Sequence, residues 1–146
     1  MKNLRKIQIA GASIGTGYPP YIIAELSANH NGKLETALRI IEEAKKAGAD
    51  AVKLQTYKPD TITLRSDSEE FKIHGGLWRG RTLYDLYEEA HMPWEWHASL
   101  FKYAHQLGIT IFSSPFDTTA IDLLEDLNAP AYKIASFEAI DLPLIK

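Results

Sequence analysis

The pentapeptide Ala51–Gln55, AVKLQ, decides how the chain is read. Alternate side chains of a strand point to opposite faces. Val52 and Leu54 therefore share one face, and Lys53 and Gln55 the other. That pattern fits a barrel wall, with one face turned to surrounding helices and one to the axis. Outward from this stretch, strand-like and helix-like runs alternate.

Upstream, Lys33–Ala47 has Leu34, Ala37, Leu38, Ile41 and Ala44 at helical spacing. Gly48 is placed to end that helix in a left-handed cap. Before it, Tyr21–Glu25 (YIIAE) reads as a strand ending on a carboxylate, followed by the turn Asn29-His30-Asn31-Gly32. Further back, Lys6–Ala10 alternates apolar and polar residues. Gly11, Gly15, Gly17 and Pro19-Pro20 then punctuate the chain. Residues 1–20 therefore read as a β-hairpin that would cap the bottom of a barrel.

Downstream, Thr56–Gly80 shows no clear helix or strand, the mark of a lid, a binding segment or a mobile loop. Thr82 is placed to cap a short helix with Leu83, Leu86, Tyr87 and Ala90 on one face. Pro93–Leu107 follows as a helix closed by Gly108. Ile109–Ser113 is the third strand, and Asp117 caps a helix to about Leu127. Ala131–Glu138 (AYKIASFE) reads as a fourth, buried strand running into a polar mouth, and Ile140–Lys146 as the start of a helix.

Strands alternating with helices imply parallel pairing and right-handed crossovers. The expected fold class is α/β: the first half of a (β/α)8 TIM barrel, with parallel strands and an N-terminal β-hairpin. Residues 21–146 would form its first four βα units. A small open α/β sheet is the alternative. A whole barrel takes about 250 residues, so 146 residues read as a fragment, or as a chain that pairs with a second copy.

Composition narrows the function. Net charge is −3 with no basic run, which argues against nucleic acid or an anionic membrane as partner. There is no cysteine, hence no disulfide or thiolate chemistry, which fits a reducing cytoplasm. No apolar run approaches the roughly 20 residues of a membrane span, and Met1–Ile9 lacks the apolar core of a signal peptide.

Glu25, Lys53, Ser114 and Lys133 fall at the mouth ends of four successive strands, and Ser136 and Glu138 lie just beyond the last. A single strand-end charge is commonly structural. Four in register suit an anionic substrate held beside acid and base groups. Asn29 and His30 are either part of a plain turn or of a ligand-facing loop. His91, His97 and His105 lie on or beside helices and read as surface or packing residues. No two histidines have the spacing of a helical zinc site, and no glycine-rich nucleotide loop or nucleophile elbow is present.

Five motifs carry a family resemblance: Ile22–Gly32 (IIAELSANHNG), Val52–Thr63 (VKLQTYKPDTIT), Leu86–His97 (LYEEAHMPWEWH), Phe112–Asp117 (FSSPFD) and Pro130–Glu138 (PAYKIASFE). In this order they resemble the sialic acid synthase family, from Tyr18 onward. The first and third forms favour its pseudaminic branch over the N-acetylneuraminate, legionaminate and spore-coat relatives. The resemblance implies condensation of phosphoenolpyruvate with the open-chain aldehyde of a 6-deoxy-diacetamido sugar, giving a nine-carbon 2-keto acid and phosphate. It implies that Lys53, Ser114, Lys133 and Ser136 hold phosphoenolpyruvate and that Glu25 and Glu138 act as base and acid. Gln55, Asn29 and His30 complete the substrate-binding set. It also implies a divalent metal, Mn²⁺ or Mg²⁺, as Lewis acid. Its ligands, two histidines, would come from strands five to eight, with none in this chain. A C-terminal antifreeze-like domain and a domain-swapped homodimer belong to the same pattern. These 146 residues alone are expected to be inactive, the activity belonging to the full enzyme. The rival of another class is a non-catalytic anion-binding fragment.

Overall fold

A parallel sheet faced by helices on one side organises the chain. The structure, a computed structural model, describes residues 6–146. Residues 1–5 of the expected N-terminal cap lie outside the described residues. β1 (Lys6–Ile9) and β2 (Ala12–Gly15) form the antiparallel hairpin, with Ile7 opposite Ile14. β3 (Ile23–Glu25), β4 (Ala51–Thr56) and β5 (Thr110–Pro115) form a parallel sheet in the order β3-β4-β5. The hairpin's tip, Ala10, lines a cavity of about 280 Å³ with Gly108, Ile109, Thr110 and Pro130, at the N-terminal end of β5.

The helices follow the sequence periodicity closely. They are α1 (Leu34–Lys46), a four-residue α2 (Pro59–Ile62), α3 (Leu83–Ala90), α4 (His97–Leu107), α5 (Thr118–Asp126) and a short α6 (Leu142–Ile145). Thr82 caps α3, accepting from the Asp85 amide, while the Asp85 side chain accepts from the Thr82 amide. Asp117 caps α5, accepting from the Thr119 and Ala120 amides. The expected helix Pro93–Leu107 is instead divided into a 3-10 turn, Trp94–Trp96, and α4.

One closing device recurs three times. α1 ends with Ala49 N–H on the Ala44 carbonyl and Gly48 N–H on that of Lys45. α4 ends with Ile109 on Ala104 and Gly108 on His105, and α5 with Ala129 on Leu124 and Asn128 on Glu125. This is the Schellman pattern. It needs a residue in the left-handed region, supplied by Gly48 (φ +87°), Gly108 (φ +64°) and Asn128 (φ +54°). Each cap turns the chain back toward the sheet. The caps of α1 and α4 are tied, Lys45 Nζ donating to the Gly108 carbonyl at 2.8 Å.

The core lies between the sheet and the helices. Val52 and Leu54 from β4, with Ile111 from β5, pack with Ala37 and Ile41 of α1, Leu100, Phe101 and Ala104 of α4, and Leu124 of α5. Burying each large side chain contributes roughly 1.5–3 kcal/mol. No residue of this cluster comes from the Lys53 side of the sheet.

Three further expectations are corrected. The fourth strand is a single parallel bridge, Tyr132 to Ser113, with Lys133 N–H donating to the Ser113 carbonyl. Beyond it the chain leaves the sheet for a turn at Ser136 and a 3-10 turn, Glu138–Ile140. Lys133 and Ile134 are exposed rather than buried, because strand order needs a neighbour on both sides and this is the open edge. The first strand is shorter than Tyr21–Glu25, although Ile22 still bonds Asp50 and Ala51 across the edge. The segment after β4 is not without structure. Tyr84 Oη donates to Asp60 at 3.0 Å, Arg65 stacks on Tyr84, and Ile73 pairs with Arg81 and Gly80.

Candidate active site

Register decides which side chains meet. Glu25 pairs with Lys53, Lys53 with Phe112, and Gln55 with Ser114. The bridge from Ser113 to Tyr132 then sets Ser114 beside Lys133. The positions expected to be equivalent therefore occupy two levels. Glu25, Lys53 and Phe112 form the lower level. Gln55, Ser114 and Lys133 form the upper one, two residues nearer the strand ends. The reason is that β3 ends its pairing at Glu25, whereas β4 and β5 run on to Thr56 and Pro115.

Lys53 is only 5% exposed, and its Nζ meets Glu25 Oε2 at 3.0 Å. The carboxylate side chain is 57% exposed. A shielded ammonium thus has one partner that solvent, or a ligand, can reach. On the upper level Ser114 is 1% exposed, and among the described residues its hydroxyl has no hydrogen-bond partner. Buried hydroxyls are normally paired, so this one is a group waiting for an acceptor or donor. Gln55 beside it is half-buried. A cation, an amide and a free hydroxyl on one face can receive a carboxylate or phosphate oxygen.

The other predicted residues are placed less uniformly. The Lys133 side chain is exposed at the sheet edge, and Ser136 lies in an exposed turn. Glu138 opens its 3-10 turn with Oε2 buried and unpartnered. Asn29 donates through Nδ2 to the Leu26 carbonyl at 3.0 Å. His30 is 1% exposed, packed edge-to-face with Trp96, and its Nδ1 accepts from the Gly32 amide at 3.1 Å. Asn29 bonds within its own loop, and His30 accepts within it from Gly32 while the Ala90 carbonyl lies near its ring. Among the described residues no group of three or more His, Asp or Glu could hold a metal ion. These residues do not fit a resident metal.

Sequence reasoning missed a second polar cluster on the helix side of the sheet. His97 is fully buried, with Nε2 2.9 Å from Thr56 Oγ1, and Thr56 Oγ1 is 2.6 Å from Ser113 Oγ. The available signal was the alternation itself. Once Lys53 and Gln55 face one way, Thr56 faces the helices and needs a partner there.

Burial lowers the pKa of His30 and of His97, against the raising effect of nearby backbone carbonyls, Ala90 for the first and Pro93 and Trp94 for the second. Both rings are therefore held neutral in the fold more strongly than in the unfolded chain. Their contribution to stability is complete above the unfolded pKa of about 6.5. It is lost progressively as pH falls below that value toward the lowered pKa of the folded state, because the unfolded chain binds protons first. Melting temperature is expected to drop between pH 7 and 5, before carboxylates titrate. A Tm flat over that range would contradict the neutral, buried assignment, and His97→Gln should shrink the drop.

The geometry can be compared with known proteins. A model of the NeuB family matches residues 40–146. Pseudaminic acid synthase of Campylobacter jejuni subsp. jejuni serotype O:23/36 (strain 81-176) is 60% identical over 121 residues, covering 83% of this chain and 35% of that protein. Pseudaminic acid synthase of Helicobacter pylori (strain 26695) is 55% identical over 128 residues, covering 88% and 38%. Among solved structures, N-acetylneuraminic acid synthetase from Leptospira borgpetersenii, in complex with citrate, superimposes with a TM-score of 0.80 at 27% identity, over 97% of this chain and 45% of that one. The fold is thus α/β, the first half of a (β/α)8 barrel with an N-terminal hairpin. The chain spans a little over a third of the length of the curated relatives it matches.

Proposed function

The chain belongs to the NeuB family, and from that premise we propose that it serves a pseudaminic acid synthase reaction. In this reaction phosphoenolpyruvate condenses with an open-chain 6-deoxy-diacetamido hexose. The observation that carries the reading is the shielded Lys53 paired to Glu25, with the unpartnered Ser114 hydroxyl one level above. The 55–60% identity to pseudaminic acid synthases supports the choice of sugar.

In the proposed chemistry, C3 of phosphoenolpyruvate forms a bond to the aldehyde carbon, and the aldehyde oxygen takes a proton. Water adds to the cationic C2 and gives up a proton. The C2–O bond to phosphate then breaks as the C2 hydroxyl passes its proton to the departing phosphate, leaving the 2-keto group. Lys53 and Ser114 would hold the anionic groups, with Gln55, Lys133 and Ser136 beside them. Lysine suits this task as a compact charge with three rotatable donors. Glu25 and Glu138 would move the two protons. A homodimer, a cytoplasmic setting and a divalent metal, Mn²⁺ or Mg²⁺, with its ligands outside these residues belong to the same proposal. They are supported by the family alone.

The test is phosphate release from phosphoenolpyruvate by a full-length synthase carrying this chain, with Mn²⁺ and a panel of acetamido sugars. Release with the 6-deoxy-diacetamido hexose, and not with N-acetylmannosamine, is expected. Preference for N-acetylmannosamine would move the reading to N-acetylneuraminate synthesis. Phosphoenolpyruvate binding with no release for any sugar would favour the anion-binding module instead.

A further inference from the structure

Six buried polar or charged residues are found among the described residues: His30, Lys53, Thr56, His97, Ser113 and Ser114. Lys53 and Ser114 face the proposed site. Thr56, Ser113 and His97 form one chain directly behind it, in a layer otherwise built from Leu54, Leu100, Phe101 and Ile111. Polar groups in such a layer cost desolvation unless they are fully paired.

The proton order of the chain follows from its ends. His97 Nδ1 lies 3.2 Å from both the Pro93 and the Trp94 carbonyls, which can only accept. Nδ1 therefore carries the hydrogen, and Nε2 is the acceptor. Thr56 donates to Nε2, which leaves the Thr56 oxygen to accept from the Ser113 hydroxyl. Each hydroxyl has one direction.

Thr56 immediately follows Gln55, and Ser113 immediately precedes Ser114. In the ladder Thr56 is opposite Pro115 and Ser113 opposite Leu54. The Thr56–Ser113 bond is therefore a diagonal between strands, at a level where Pro115 has no N–H to give the ladder. A diagonal brace resists sliding of β4 past β5, and such sliding would change the spacing of Gln55 and Ser114 on the other face.

We propose that His97 is a positioning residue: acting through Thr56 and Ser113, it sets the spacing of Gln55 and Ser114 and so the shape of the anion site. The proposal rests on the reading of that face as the phosphoenolpyruvate site. It assigns His97 no contact with substrate.

The test compares Thr56→Val, Ser113→Ala, His97→Phe and His97→Gln in the purified protein. All four are checked for wild-type circular dichroism at the assay temperature. Phosphoenolpyruvate affinity is read by calorimetry, and the amide shifts of Gln55 and Ser114 by NMR. The first three variants are expected to weaken binding by about tenfold, the scale of losing an orienting partner. His97→Gln keeps a carbonyl that can accept from Thr56, and should restore affinity to within about threefold of wild type. Ser113→Ala is the mildest change and keeps the test usable if a larger one fails to fold. Unchanged affinity in folded Ser113→Ala or Thr56→Val overturns the proposal. If the wild type binds no phosphoenolpyruvate, it is the reading of the site that fails. Positioning is then decided by the Gln55 and Ser114 shifts, which should move in Thr56→Val and return in His97→Gln. Shifts that stay fixed overturn it.

Discussion

In a full-length synthase carrying this chain, Glu25→Gln is expected to slow sugar-dependent phosphate release by about 100- to 10,000-fold, the usual worth of a positioned acid or base. Glutamine is nearly isosteric and keeps an acceptor for Lys53 Nζ, now 3.0 Å from the carboxylate. What it removes is the charge and the ability to exchange a proton. The Glu25 side chain is 57% exposed, so the fold should tolerate the change with only a modest fall in Tm. Glu138→Gln should behave alike, its unpartnered buried oxygen being the other proton-handling candidate. Turnover within a few-fold of wild type in either variant would remove that carboxylate from the mechanism.

Lys53→Met is expected to weaken phosphoenolpyruvate binding by about 100-fold. Charge-assisted hydrogen bonds contribute roughly 1.5–3 kcal/mol, and about 2.7 kcal/mol corresponds to two decades in Kd. Stability should move the other way or not at all. The lysine is 5% exposed, and methionine fills similar space without a charge to desolvate. The Glu25 carboxylate left behind can be solvated, because most of its side chain already is. Calorimetry and thermal melts on the same sample separate the two effects. Lost binding with a preserved Tm supports the site. Preserved binding would mean that the anion is held elsewhere. Lost binding together with a collapsed Tm would mean that Lys53 acts through the fold.

The helices were legible because their signals are local. Leu34 to Ala44 at helical spacing, Thr82 and Asp117 as caps, and Gly48 and Gly108 as stops each act within a few residues. The alternation in AVKLQ likewise separated core from site: Val52 and Leu54 are fully buried in the helix-facing cluster and Lys53 is not part of it. The fourth strand was less legible. AYKIASFE has the composition of a strand, but strand structure is completed by partners, and only Tyr132 bridges to one. His30 shows the same limit. Its place in a turn is written locally, whereas its burial against Trp96 depends on a residue 66 positions away.

The sequence alone determined the α/β alternation, the faces of the strands, the ends of the helices and the motifs that place the chain in its family. All of these are set by periods of two and 3.6 residues and by single-residue backbone preferences. Only the tertiary structure decided that Lys53 stands opposite Phe112 while Ser114 stands opposite Gln55, and that Ser114 is buried without a partner. Only the tertiary structure brought His97 to Thr56 and Ser113 behind them. Alternation says which face a side chain takes, but not its level. Level depends on how one strand slides against the next, and that is settled by packing across the whole sheet.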